Sequence, residues 1–442
     1  MVVVRSVGRS KAHARLVSAL ALTGAAVGLS CQVLVPLVTQ DEPSLVAFDA
    51  SPTDLDAPVD DAGSVDPCLE TLDAAPPSGT SRTLNQIVLA VYRWRFDQAD
   101  DTPTTDDLCG SPGFDLDNKD THGDCANGGT CAPRIGKGVC DLRRGVDDSL
   151  SGILDMLRAL SARPLLDPNV LLRSATAGLI FKIDNYNGEA NDEDVQLTIF
   201  VAAGLSGLVP DAGAGQVFSI NDVDRLPQVW DGGPVDSGWI VDERSYTTTR
   251  DGGGLGVPTD TTADAFVRDY VLYARLHDGI FPIGVPGANT RYRAGELIAK
   301  LVPGERGVRP WKLTRGRIGV RSSSSALLTS LGAAHTPTSG TGQLCDPTNE
   351  GTYGQLRALA CGSLDLTPGD NGAPCDELSA AFTFAAVETM MTVDPDSPSR
   401  YPTMPSVFGA SLPCAEGGTI ACDDCAWDAP KRCAFDGDGA TD

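Results

Sequence analysis

Asp115, Asp117, Asp120 and Asp124 stand together in the stretch "FDLDNKDTHGD". Carboxylates at alternating spacing in a polar loop are the ligand type that calcium selects, since it takes six to eight oxygens from flexible backbone. A second acidic loop, "DNYNGEANDED", offers Asp184, Asn187, Asp192 and Asp194. Neither loop has the EF-hand pattern, because Lys119 and Tyr186 occupy positions that should supply ligands. The first loop is the better candidate metal site, because nearby cysteines can stiffen it. The competing explanation for both is a solvated acidic turn. No other cofactor is suggested, so the expectation is no cofactor unless it is calcium.

Other chemistries are poorly supplied. Cys414, Cys422, Cys425 and Cys433 form C-x7-C-x2-C-x7-C, with one close pair where a zinc module usually has two. Ser206 in "GLSGL" lacks the nucleophile elbow, and no phosphate-binding loop is present. His277 sits beside Asp278 in a turn sequence. No catalytic residue is assigned, and the balance leans against an enzyme. Trp230, Trp239 and Tyr246 lie in one glycine-rich stretch. If exposed on loops they could stack on sugars; the plainer expectation is that they cover the edge of a core.

The elements that would carry these residues read mostly as strands. In "NQIVLAVYRWRFDQ", Val88, Ala90, Tyr92, Trp94 and Phe96 alternate onto one face. "DVQLTIFVAAGL" alternates likewise, with Val195, Leu197, Ile199 and Val201 on a shared face. "ADAFVRDYVLYARLHDG" reads as one long strand ending in a hairpin turn at Asp278-Gly279. A helix begins near Asp147 or Asp148, one of which caps it, with Leu150, Ile153, Leu154, Leu157 and Leu160 as its apolar stripe. Short helices are expected over 322–331 and 353–360. Strands joined by Gly/Pro-rich turns predict a mainly β, antiparallel β-sandwich or jelly-roll-like body with a few short helices.

The chain opens with Arg5, Arg9, Lys11 and Arg15, followed by an apolar run, which is the form of a secretory signal over residues 1–30. Gly28-Leu29-Ser30-Cys31 partly matches a lipobox, so Cys31 is a candidate lipid anchor. Ordinary cleavage elsewhere, or retention of Leu16–Val38 as a membrane anchor, remain alternatives. Residues 31–83 read as an acidic Pro/Asp/Ser-rich tether, with Cys68 clipping part of it to the body. The β-rich body spans 84–400 with a cysteine-rich insertion at 100–145, and 401–442 forms a cysteine-rich acidic tail.

Apart from Cys31 there are twelve cysteines: Cys68, Cys109, Cys125, Cys131, Cys140, Cys345, Cys361, Cys375, Cys414, Cys422, Cys425 and Cys433. An even set suits disulfides in an oxidising compartment. Five are early and seven late, so complete pairing among them needs at least one bridge between the two groups. The net charge is -25, and losing residues 1–30 would make it four units more negative. Such a chain repels phosphate backbones, which excludes nucleic acid as a natural partner.

Several motifs together, "GFDLDNKDT", "GVDDSLSGIL", "DEDVQLTIFVAAG" and "PCDELSAAFTF", resemble uncharacterised exported lipoproteins of myxobacterial type. The resemblance implies a β-rich body at the outer membrane or cell surface of a bacterium and transfers no catalytic residues. The expected function is therefore that of a membrane-tethered surface protein with a binding or structural role, its partner a glycan or another envelope protein. The alternatives are a secreted, glycosidase-like polymer hydrolase and a calcium-stabilised adhesin.

Overall fold

The computed structural model describes residues 65–72, 74–77, 85–96, 107–110, 112–119, 131–132, 141–142, 146–160, 168–175, 178–206, 229–233, 238–248, 255–282, 289–304, 309–333, 350–368, 373–391 and 403–404. They belong to the compact unit Gly63–Asp442; Met1–Ala62, the other unit, lies outside them, as does Cys31. No helix among the described residues is long and apolar enough to cross a membrane.

Eight strands form a closed antiparallel barrel: β1 (Asn85–Arg95), β2 (Gly178–Tyr186), β3 (Asp192–Leu205), β7 (Thr261–Arg268), β8 (Val271–Leu276), β11 (Ala294–Val302), β12 (Lys312–Ser323) and β13 (Glu377–Glu388). Their order around the barrel follows their order in the chain, and β13 returns to pair with β1. This corrects the sandwich or jelly-roll expectation. The deciding feature is β3. It pairs with β2 along one edge, while its other edge is divided. Asp192–Thr198 takes β7, and Ala202–Leu205 takes the short strand β4 (Trp239–Asp242). The β7 pairing removes the two free edges that an open sheet would leave. Strand β14 (Thr403–Met404) pairs with β4 beyond the barrel.

The interior is filled by side chains. Leu89, Phe181, Leu197, Val267, Leu272, Ala274, Leu297, Ala299, Ile318, Val320, Ala380, Phe382 and Phe384 form one buried cluster. Small and large residues mix there, as a tapered eight-strand interior requires. Gly316 on β12 lies where any Cβ would stand 2.5 Å from the Phe384 ring. Charged residues such as Lys182, Arg275 and Glu296 alternate with the inward positions on the wall. That polarity is the reverse of a lipid-facing barrel, which turns its apolar side outward.

Several expectations hold and others shift. Val195, Leu197, Ile199 and Val201 do share the inward face. On β1, a register shift between Val91 and Arg93 swaps faces midway. Ile87, Leu89, Val91, Trp94 and Phe96 therefore face inward together, while Val88 and Ala90 pack in an outer cluster. The stretch expected as one long strand is the β7–β8 hairpin. Its turn, Asp269 and Tyr270, has φ of 52° and 60°, without the Asn-Gly that usually betrays such turns. Asp278-Gly279 does not fold β8 back on itself; it leads into β9 (Gly279–Pro282), which pairs with β10 (Asn289–Tyr292). A further small hairpin is β5 (Tyr246–Thr248) with β6 (Leu255–Pro258).

The connections are unequal. At one end of the barrel they are short: 187–191, 269–270 and 303–311. At the other end all four are long: 96–177, 206–260, 277–293 and 324–376. The long ones contain helices α1 (Ser149–Leu160), α2 (Pro168–Arg173), α3 (Ser324–Ala333) and α4 (Glu350–Gly362). Leu150, Ile153 and Leu154 of α1, Leu327, Leu328 and Leu331 of α3, and Tyr353 and Ala360 of α4 join the barrel's core cluster. The side chains of Leu157 and Leu160 lie outside the described set. At the short-loop end the Tyr186 and Trp311 rings meet edge to face, 5.8 Å apart.

Part of the expected tether belongs to the body. Residues 65–72 and 74–77 form a strap on the barrel's outer wall, fixed by the Cys68–Cys109 disulfide. Arg317, buried, donates from Nε to Pro67 O (3.1 Å), from Nη1 to Gly113 O (3.1 Å) and from Nη2 to Glu70 O. Arg315 pairs with Asp66 at 2.9 Å. Leu72 packs with Phe114, Phe266, Tyr273 and Ile298 on the outer wall. A second disulfide, Cys131–Cys375, joins residues 244 apart and links the early cysteines to the late ones, as the odd counts required. Cys361 is also disulfide-bonded. Cys125, Cys140, Cys345, Cys414, Cys422, Cys425 and Cys433 lie outside the described residues.

Candidate metal centre

The strongest concentration of chemistry lies in the long connection between β1 and β2. Phe114 packs on the outer face of β12, over Gly319, with its carbonyl accepting from Asp147 N at 2.9 Å. Asp147 returns the contact: its Oδ2 accepts from Leu116 N at 2.6 Å. Two segments far apart in sequence are thereby zipped side by side. Asp115 and Asp117 both accept from Lys119 N through Oδ1, at 2.9 and 3.0 Å, which curls the loop and turns their carboxylates towards Asp147. Carboxylate oxygens of Asp115, Asp117 and Asp147 lie within 4.8 Å of one another.

Asp148 does a different job from its neighbour. It precedes α1 and accepts from Ser151 N (3.4 Å) and Ser151 Oγ, the role of a helix N-cap. The same carboxylate accepts from Ala381 N of β13 at 3.1 Å. Ser149 N donates to Ser379 Oγ (2.8 Å), and Ser379 in turn donates to Asp365 from N (2.9 Å) and from Oγ. This ladder satisfies the stretch of β13 that extends past the end of β1.

The electrostatics follow from burial. Desolvation, then the charges of Asp365, Asp117 and Asp141, push the Asp147 carboxyl up to about 10. Burial raises Asp148 to about 7 against the hydrogen bonds from Ser151 and Ala381. Burial likewise raises Asp365 to about 6, and Asp115 is raised by burial and by Asp117 and Asp141. Such a group of oxygens competes for protons or for a hard cation.

Two of the four residues expected from the sequence, Asp115 and Asp117, are brought together here. Asp120 and Asp124 lie outside the described residues. The third carboxylate, Asp147, was visible only as a possible helix cap. The signal was there in the doublet Asp147-Asp148, since one helix start needs only one cap.

The second acidic loop is a turn. Asp192 accepts from Asn187 N (2.6 Å) and Asp194 N (3.1 Å), and Asp184 pairs with Lys182 at 2.7 Å. His277 and Asp278 are exposed, whereas His122 and His335 lie outside the described residues. Trp230, Trp239 and Tyr246 are buried, at 4%, 1% and 6% exposure. They pack with Ile180, Phe200 and Val241 on the outer face of β2–β4, the two indoles edge to face at 5.0 Å. Rings covered in this way offer no exposed face for a sugar.

Fold and site together define an eight-stranded antiparallel barrel with an acidic centre at the foot of its first helix. No family model, curated protein or solved structure matches the chain.

Proposed function

We propose that this chain is an exported surface protein, tethered at its N-terminus, whose barrel presents long connections to a partner in the cell envelope. The observation that carries this reading is the inequality of the barrel's ends. All four long connections emerge at one end, while β1 begins and β13 finishes at the other. A rigid scaffold with elaborated loops at one end is the usual arrangement for recognition. Its core is filled with side chains, so the recognition surface is external. Disulfides Cys68–Cys109 and Cys131–Cys375 support an oxidising compartment, and the basic-then-apolar start of the chain supports export. The partner is a glycan or another envelope protein.

Two measurements on cells test this. Mass spectrometry of the mature N-terminus should find a diacylglyceryl adduct on Cys31; a free thiol or an intact Met1 would remove the lipid anchor. A photo-crosslinking residue at exposed Asp278, in a long connection, should capture an envelope component. The same group at Glu189, in the short β2–β3 turn, should capture none. Equal capture from both ends would remove the assignment of the binding end.

A further inference from the structure

The geometry points to a calcium ion held by Asp115, Asp117 and Asp147, tying the cysteine-rich connection to the start of α1. Oxygens within 4.8 Å of one another are near the spacing at which one ion would touch all three at the roughly 2.3–2.6 Å that calcium adopts. The donors are carboxylates alone, which suits calcium and disfavours zinc or copper.

A cluster of acids on a surface would mean little. Here Asp147 is 1% exposed, and among the described residues its Oδ1 has no hydrogen-bond partner; buried Asp117 Oδ2 has none among them either. A buried carboxylate oxygen without a donor is unfavourable unless a proton or a cation meets it. Arg321, which donates to Leu116 O, also directs its guanidinium to Glu377 and Thr367 O. A bound divalent ion would neutralise the cluster.

The consequence is structural. Asp147 is followed by Asp148 and Ser149, which hold the edge of β13, and Asp115 follows the Phe114 bridge. An ion shared by these segments locks the connection onto the β12–β13 wall. An affinity in the weak range of extracellular modules, about 10⁻⁴–10⁻³ M, rests on the export reading; binding itself does not.

The test uses the purified, disulfide-intact chain, so its outcome is independent of localisation. Equilibrium dialysis against radioactive calcium, with magnesium in excess, should show one saturable ion per chain, and melting should rise when chelator is replaced by calcium. Asp117→Asn and Asp115→Asn should weaken binding by about tenfold or more. Asp194→Asn, which removes the same charge from the start of β3, should leave it unchanged. Asp147→Asn, close to isosteric and uncharged, should melt higher than wild type in chelator and lose its response to calcium. Absence of a saturable ion, displacement by magnesium, or equal weakening by Asp194→Asn would overturn the assignment.

Discussion

At the scale of single residues, the barrel tolerates little change where backbone and ring meet. Gly316 lies opposite Phe384 in the β12–β13 register, and its missing Cβ leaves room for the ring. Gly316→Ala should destabilise the protein by about 1–3 kcal/mol, read as a lowered denaturant midpoint with an unchanged slope; an unaltered midpoint would mean that the ring moves freely. Asp260 supplies a pH effect. It is buried against the Tyr292 hydroxyl, which donates to its Oδ2, and burial pushes its carboxyl up to about 8. Between about pH 4 and pH 8 the folded state keeps a proton that the unfolded chain releases. Its contribution therefore makes stability fall as pH rises through that window and level off above it. Each unit is worth about 1.4 kcal/mol, so the effect should reach a few kcal/mol. Denaturation of Asp260→Asn at pH 5 and pH 8 should show a smaller difference than wild type; parallel behaviour would exclude Asp260 as the source.

At the scale of elements, the sequence was legible wherever alternation ran uninterrupted. The inward face of β3 reads directly from Val195, Leu197, Ile199 and Val201. The helix at 149–160 reads from its cap and stripe, and the short helices expected over 322–331 and 353–360 form at Ser324–Ala333 and Glu350–Gly362. It failed at β1 because one bulge exchanges the faces without changing composition. It failed at β7–β8 because Asp269-Tyr270 adopts positive φ with residues that do not advertise a turn. The strap was hidden for another reason. Residues 65–77 are acidic and proline-rich, and what orders them is external: a disulfide, Arg315, and a buried Arg317 that donates to two of their carbonyls. Arg317 also lies over the Phe114 ring, 4.6 Å from its centroid. Arg317→Met should therefore free the strap except at Cys68. Limited proteolysis should then cut near residues 73–84 several times faster than in wild type, with the barrel intact. An unchanged cutting rate would show that the disulfide alone suffices.

At the scale of the whole molecule, sandwich and barrel differ in one pairing that composition does not encode. Both need alternating strands and turn-rich joints; only the barrel needs β3 to find β7 across the long 206–260 connection. The same connection explains why outward positions such as Ile180, Phe200 and Val241 are apolar. They form a second core outside the barrel, with the tryptophans as its cover. The candidate metal site was half legible for the same reason, since Asp115 and Asp117 are local but Asp147 arrives through tertiary packing. The Cys131–Cys375 bridge encloses most of the body. In a chain-entropy account, removing it as Cys131→Ala with Cys375→Ala should cost about 5–6 kcal/mol, measured by denaturation; a loss below about 1 kcal/mol would mean that the unfolded chain is already held compact.

The closure of the sheet is tested most directly at its seam. Thr198 of β3 and Thr261 of β7 face each other, their hydroxyl oxygens 3.1 Å apart. Replacing both with cysteine and mapping the peptides under non-reducing conditions should yield a 198–261 cross-link in the folded protein, with the native disulfides unchanged. Recovery of both introduced cysteines as free thiols after mild oxidation would show that these strands do not meet, and that the body is an open sheet.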